Sequence, residues 1–338
     1  MPLKKEITVK KIRLIHVGVG GRGKWPVRRV TEREDFESVA FVDVNEANLN
    51  AALEVSGLPE SACFRSLQVA LERVEAEAVV VITPPHLHAA QCLEAVRAGK
   101  HVLVEKPFAL SLADARQVVQ EADARGVRVA VCQNARYAAQ SVTIHRLVRE
   151  GVYGRPAFGL MTKYGWRPGV HHSGKVRHSY LWERGIHDLD TMRFLFDAQP
   201  ARVWGHSFNP SWSPYGHGAG AHAWVAFEGG ATCGYLCTFA AHKGGSSLRI
   251  ELEGGTLEVV GRDLLLRRPG AEADEVIPPD PAPPAEAVLL DGFYRYVTEG
   301  VEPEFGGHNN LTTVGLVEAV GVASDEMRVV DFQKFLRG

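Results

Sequence analysis

The glycine loop Gly18-Val19-Gly20-Gly21-Arg22-Gly23 directly follows a β-type run, Ile12-Arg13-Leu14-Ile15-His16-Val17. In that setting its spaced glycines have mechanical tasks. Gly18 permits a tight turn, Gly20 lets the backbone approach a pyrophosphate, and Gly23 lets the next helix pack closely on the strand. The helix then aims its N-terminal amides at the phosphates. Asp43 falls 20 residues after Gly23, at the end of a second β-rich run, 39–43. A carboxylate there accepts hydrogen bonds from the adenosine ribose hydroxyls and repels a 2′-phosphate, which favours NAD over NADP. Arg22 and Lys24, in and beside the loop, keep NADP as the second option. An ordinary glycine turn followed by a surface acid is the competing account. Strand, loop and acid standing in register weigh against it.

Two further segments sit where later strands should end. Thr83-Pro84-Pro85-His86-Leu87-His88 follows the run 78–83, and Glu105-Lys106-Pro107 follows the run 101–104. In an open parallel sheet the ligand crevice lies at the carboxyl ends of the strands, so these loops should face it together. Pro84 and Pro85 stiffen a wall against which a flat ring can lie, and the bond before Pro107 could be cis. Lys106 brings the reactive chemistry. A lysine beside a nicotinamide can hydrogen-bond a substrate hydroxyl, stabilise its developing alkoxide and relay its proton. Position alone suits a surface ion pair equally well.

The elements that must hold these loops are legible as punctuation and period. Nearly continuous apolar runs at 12–17, 39–43, 78–83, 101–104 and 127–132 read as parallel strands covered on both faces. Between them, 87–97 is helical and stops before Gly99, while a helix N-capped by Ser111 buries Leu112, Ala115, Val118, Val119 and Ala122 and stops at Gly126. Alternation of this kind predicts a doubly wound parallel sheet. After residue 150 the texture changes. Short β-type runs at 157–163, 201–207, 221–227, 232–239, 248–253, 256–260 and 263–267 predict a largely antiparallel sheet. A proline-rich connector at 278–284 precedes helices at 286–299 and 311–324.

Composition narrows the function classes. The chain has 338 residues, enough for two domains, and a net charge of −2 that supplies no field for nucleic acid or an anionic membrane. The basic run Lys4, Lys5, Lys10, Lys11, Arg13 reads as a solvated lead-in to the first strand. No apolar stretch suits a membrane span or a signal peptide. The five cysteines, Cys63, Cys92, Cys132, Cys233 and Cys237, are scattered and read as thiols in a reducing cytoplasm rather than as disulfides or metal ligands.

These residues resemble the Gfo/Idh/MocA oxidoreductase family. The likeness rests on the glycine loop, the 83–88 segment and the run Ala98-Gly99-Lys100-His101-Val102-Leu103-Val104-Glu105-Lys106-Pro107. Gly185-Ile186-His187-Asp188-Leu189-Asp190 matches its second-domain motif, and Ala323-Ser324 also fits. The resemblance implies a Rossmann domain followed by a domain with a large open sheet that commonly pairs copies into dimers or tetramers. It also implies a catalytic set of Lys106, His187 and an acid four residues before the histidine. That acid is Glu183 here, where many members carry Asp. Helical spacing would put Glu183, His187 and Asp190 on one face. Arg136, Tyr164, Trp166 and Asp190 join Lys106 and His187 as candidate substrate contacts. His171, His172 and His178, in the segment 167–182, form no clear metal array, and no metal is expected.

The expectation is therefore an α/β protein: a Rossmann domain over 1–133 and an α+β domain with a mostly antiparallel open sheet over 134–338. Gly18, Gly20, Gly21, Arg22, Gly23, Asp43, Thr83, Pro84, Pro85, His88, Glu105 and Lys106 would hold NAD. The expected reaction is hydride transfer to or from a secondary alcohol of a sugar, polyol or related cyclic substrate. Three alternatives remain on the same fold: a reductase of an imine or enol-type substrate, a non-catalytic NAD-binding regulator, and an enzyme that retains NAD for glycoside or epimerase chemistry.

Overall fold

The computed structural model describes residues 10–170 and 175–338. Its first elements are β1 (Ile12–Val17), α1 (Lys24–Thr31), β2 (Phe36–Val42), α2 (Glu46–Ser56), β3 (Cys63–Phe64), α3 (Leu67–Arg73), β4 (Ala78–Val81), α4 (Pro85–Arg97), β5 (His101–Val104), α5 (Leu112–Arg125) and β6 (Val129–Val131). The six strands pair in parallel in the order β3-β2-β1-β4-β5-β6. Strand order reverses between β1 and β4, the switch point at which a doubly wound sheet opens its ligand crevice. Ala78–Val81 is buried at every residue, which accounts for the unbroken apolar runs. The edge strand β3 has only two half-buried residues and left no such run to read.

The remaining elements are α6 (Ala139–Arg149), β7 (Pro156–Trp166), α7 (Ile186–Phe196), β8 (Pro200–Phe208), β9 (Gly220–Phe227), β10 (Thr232–Thr238), β11 (Ala240–Leu252), β12 (Gly255–Val260), β13 (Asp263–Arg267), β14 (Glu275–Ile277), α8 (Ala285–Glu299), α9 (Gly307–Glu326), β15 (Val330–Asp331) and α10 (Phe332–Arg337). A nine-stranded sheet runs β14-β13-β12-β11-β7-β10-β9-β8-β15. Among the described residues only the central β7–β10 pair is parallel; the other pairings of this sheet are antiparallel. β11 begins earlier than its apolar signal, because Gly245, Ser246 and Ser247 pair with Tyr164, Lys163 and Thr162 of β7 while carrying no hydrophobic pattern.

Alternation along the central strands separates two faces. Met161, Val203, Val225, Cys233, Tyr235 and Cys237 are buried on the inner face. Gly159 and Gly205 leave room there for Phe196 of α7 and Val320 of α9. Phe158, Leu160, Trp204 and Trp224 alternate to the other face and remain well exposed. The chain divides into two compact units. The first comprises the chain through Ala109 with Ala113–Cys132 and Leu289–Asn310, and the second comprises Leu110–Leu112, Gln133–Val288 and Leu311–Gly338. Most of α8 thus belongs to the first unit. Phe293 of α8 stacks on Phe36 of β2, and the Val131 amide donates to the Phe305 carbonyl at 2.9 Å.

Candidate active site

In the first unit the glycine loop leaves β1 in a conformation that needs its glycines. Gly18 takes φ +79°, and a Cβ there would collide with the Ile82 carbonyl at the end of β4. A Cβ on Gly23 would collide with the Gly18 carbonyl, so this glycine serves close packing of the loop on itself. At Gly20 the neighbour is the Asn48 side chain, while the outer side of Gly21 is open space. Asp43 ties the loop down. Its carboxylate accepts from the Val19 amide at 3.0 Å, the Asn45 amide at 2.8 Å and Asn48 Nδ2 at 3.2 Å. Sequence position suggested only a ribose contact; the acid also braces the loop against the start of α2.

The other two loops are pinned to each other by His88. This buried side chain has Nδ1 2.7 Å from the Pro107 carbonyl and Nε2 2.7 Å from the Thr83 carbonyl. Burial lowers its pKa, and the two carbonyls push back. Pro85 opens α4, where its missing amide donor costs nothing. The Lys106–Pro107 peptide is cis. Glu105, 7% exposed, accepts Arg22 Nε at 3.2 Å on one oxygen and the Lys106 amide at 2.9 Å on the other. The glycine loop and the lysine loop thus share one carboxylate. The first unit brings the expected cofactor residues to the carboxyl ends of β1, β2, β4 and β5, except that Pro85 and His88 belong to the first turn of α4, where His88 is buried between the two loops instead of facing a ligand.

In the second unit a five-residue π-helical segment, Leu181–Gly185, runs into α7. Its winding is wider than that of an α-helix, so the spacing of Glu183 and His187 is not the α-helical one. The Glu183 carboxylate meets the Arg167 guanidinium and accepts the Tyr215 hydroxyl at 3.2 Å. His187 is half-buried on the first turn of α7, with Nδ1 closed off from solvent. Arg136 and Asp190, both expected to face substrate, are 3% and 0% exposed and ion-paired to each other. Arg136 Nε donates to Asp190 at 2.8 Å, and Thr313, which takes Arg193 at 2.8 Å, donates to Asp190 at 2.7 Å. This network braces the helix that carries His187. His171 and His172 lie outside the described residues, whereas His178 is paired with Asp325. Among the described residues no cluster of histidine, cysteine and acid could hold a metal.

Tyr164 and Trp166 line a cavity of about 410 Å³ in the second unit, together with Lys163, Arg167, Arg184 and Phe239. Sequence reasoning passed over the charged half of this set. Behind it, Asp188 is 2% exposed, takes Lys163 at 3.1 Å and Arg184 at 3.5 Å, and accepts the Tyr235 hydroxyl at 2.7 Å. Burial, then the Asp188 charge, push the Tyr235 hydroxyl well above its ordinary range, so it remains a donor. A signal was present. Lys163 occupies an inward position of a strand whose other inward residues include Met161, and a cation there demands a buried partner.

The chain matches the oxidoreductase family with an NAD-binding Rossmann fold, GFO/IDH/MocA, over residues 12–133, and the GFO/IDH/MocA C-terminal domain over residues 141–258. It is 28% identical over 261 residues to a 1,5-anhydro-D-fructose reductase of Ensifer adhaerens, covering 73% of this chain and 77% of the relative. It is 26% identical over 345 residues to a D-apiose dehydrogenase of Paraburkholderia graminis, covering 96% and 91%. The aldose–aldose oxidoreductase of Caulobacter crescentus, solved with glycerol, shares the fold with a TM-score of 0.83 at 22% identity, covering 95% of this chain and 100% of that one.

Proposed function

The chain belongs to the Gfo/Idh/MocA oxidoreductase family, and on that footing we propose that it moves a hydride between NAD and a secondary alcohol of a sugar, polyol or related cyclic substrate. The observation that carries this reading is the shared carboxylate of Glu105, which joins the dinucleotide loop to the loop of Lys106. The glycine loop suits the cofactor: Gly21 takes φ +48° with open space outside it, where a phosphate can approach the backbone. Bound there, NAD would supply the ring that accepts or returns the hydride. Asp43 would meet the ribose and disfavour a 2′-phosphate.

The remaining chemistry falls to this chain's own residues. Lys106 holds the substrate oxygen through its ammonium group and stabilises negative charge as it develops there. His187 takes the hydroxyl proton; with Nδ1 closed off from solvent, Nε2 is the nitrogen that meets it. Glu183 anchors Arg167 and Tyr215 on the turn that leads into the helix of His187, and Tyr164 and Trp166 offer aromatic faces to the apolar side of a sugar ring. The sugar-directed names of both sequence relatives support a carbohydrate substrate. The uncovered sheet face bearing Phe158, Leu160, Trp204 and Trp224 supports pairing with a second copy, as a homodimer or homotetramer.

The test is NADH formation, followed by its absorbance, across a panel of sugars and polyols, with identification of the product. Lys106→Met should lower turnover on the best substrate by about 10²–10⁴-fold. Full turnover in that variant would sink the mechanism, and a product that is not a carbonyl compound would sink the substrate class.

A further inference from the structure

The cavity of the second unit has a wall of one sign. Lys163, Arg167 and Arg184 line it beside Tyr164, Trp166 and Phe239, and among the described residues no acidic one lines it. The counter-charges stand behind the wall. Asp188 is shared by Lys163 and Arg184, and Glu183 receives Arg167. Among the described residues of this wall, three cations therefore meet two carboxylates, an excess of one positive charge. Lys163, Arg167 and Arg184 have 32%, 40% and 41% of their side chains exposed, while Asp188 and Glu183 have 3% and 7%. Positive charge thus faces the ligand, and negative charge is withheld from it. Between low-dielectric walls such a field acts over the whole cavity rather than at one contact.

A neutral polyol gives no reason for this arrangement, since hydroxyls ask for donors and acceptors in mixture. The geometry points to a sugar acid, an aldonate or uronate, as the substrate class of this site, a proposal that rests on the oxidoreductase reading above. One surplus charge matches a carboxylate rather than the doubly charged phosphate ester. The guanidinium of Arg184 or Arg167 suits a carboxylate's paired oxygens. Trp166 continues the site into an aromatic strip, tilted against His242 at 5.9 Å, and Trp212 stacks on the same ring at 5.6 Å. The carbon face of the sugar would lie on this strip.

Calorimetric titration of the NADH-saturated protein tests the proposal without requiring turnover. D-Gluconate and D-glucitol share a carbon skeleton and differ at one end, carboxylate against hydroxymethyl; D-glucuronate and glucose 6-phosphate complete the set, at constant ionic strength. At least one of the two acids should bind tenfold or more tighter than glucitol and tighter than the phosphate ester. Arg184→Gln should weaken that acid about tenfold more than it weakens glucitol. Arg167→Gln provides a second test should the first variant melt early. Binding of neither acid, equal binding of glucitol, stronger binding of the phosphate ester, or wild-type affinity in both variants would each overturn the sugar-acid site. Tight acid binding without NAD reduction on any panel member would instead uphold this site and remove the oxidoreductase reading.

Discussion

The Glu105 carboxylate takes Arg22, 83 residues earlier in the chain, at 3.2 Å. The same side chain receives the Lys106 amide at 2.9 Å. Glu105→Gln keeps the shape and loses the charge. Turnover should fall about tenfold, from roughly 1–2 kcal/mol of lost positioning, with a smaller rise in the KM for NAD. Steady-state kinetics against both substrates measure this split. A rise in KM alone would show that Glu105 serves only the cofactor loop.

His187→Asn should reduce kcat by about 10²–10⁴-fold, the range for loss of a positioned base, while NADH still binds with wild-type affinity by fluorescence titration. Equal losses of nucleotide affinity and turnover would assign the residue to folding instead.

Asp190→Asn should show itself as lost stability. It leaves Arg136 buried without its counter-charge, which costs on the order of 3–5 kcal/mol, and the midpoint of denaturant unfolding should move accordingly. An unchanged midpoint with a raised substrate KM would return Asp190 to the substrate site.

Acid should weaken the first unit through His16. The ring is buried in β1, with Nε2 3.0 Å from Ser38 Oγ, and burial pushes its pKa down to about 3 from an ordinary 6.5. Below pH 6.5 the unfolded chain takes up a proton that the folded chain refuses until about pH 3. This contribution to stability is therefore complete above 6.5 and declines as pH falls, by at most about 1.4 kcal/mol per pH unit. Urea unfolding of the wild type and His16→Gln across that window should give a shallower slope for the variant. Parallel slopes would mean that His16 is not the group responsible.

The exposed sheet face should reveal itself in solution. Trp204 and Trp224 are cross-strand partners there, on β8 and β9. Trp224→Glu places a charge in the apolar field and should convert an oligomer to monomers by light scattering, with unfolding midpoints otherwise preserved. A wild-type monomer would refute the pairing.

The elements carrying the cofactor loops were legible because buried parallel strands write themselves as apolar runs, and because Gly18, Asp43 and Lys106 each stand at a strand end. The large sheet was legible by alternation except where β11 runs through glycines and serines. The role of Asp190 was not legible: spacing places it near His187, but only packing reveals that Arg136 neutralises it. The two cations on Asp188 come from separate segments of the chain, and no local spacing joins Lys163 to Arg184. The family resemblance points to Glu183, whereas the shared helical face with His187 assumes an α-helical winding that the π-helical segment at Leu181–Gly185 alters.

The return of residues 289–310 to the first unit has a consequence for how this chain is made. β6 is the last strand of its sheet, and its free edge is met by Phe305 and Gly306, the partners of Val131 and Ala130. On the ribosome that edge waits, unpaired, through synthesis of nearly the whole second unit, the interval in which open strand edges are most prone to pair wrongly. A fragment ending at Cys132 should accordingly aggregate when expressed, and adding 289–310 as a separate peptide or a linked extension should restore solubility. A monomeric, cooperatively folding 1–132 fragment would show that the edge needs no such cover.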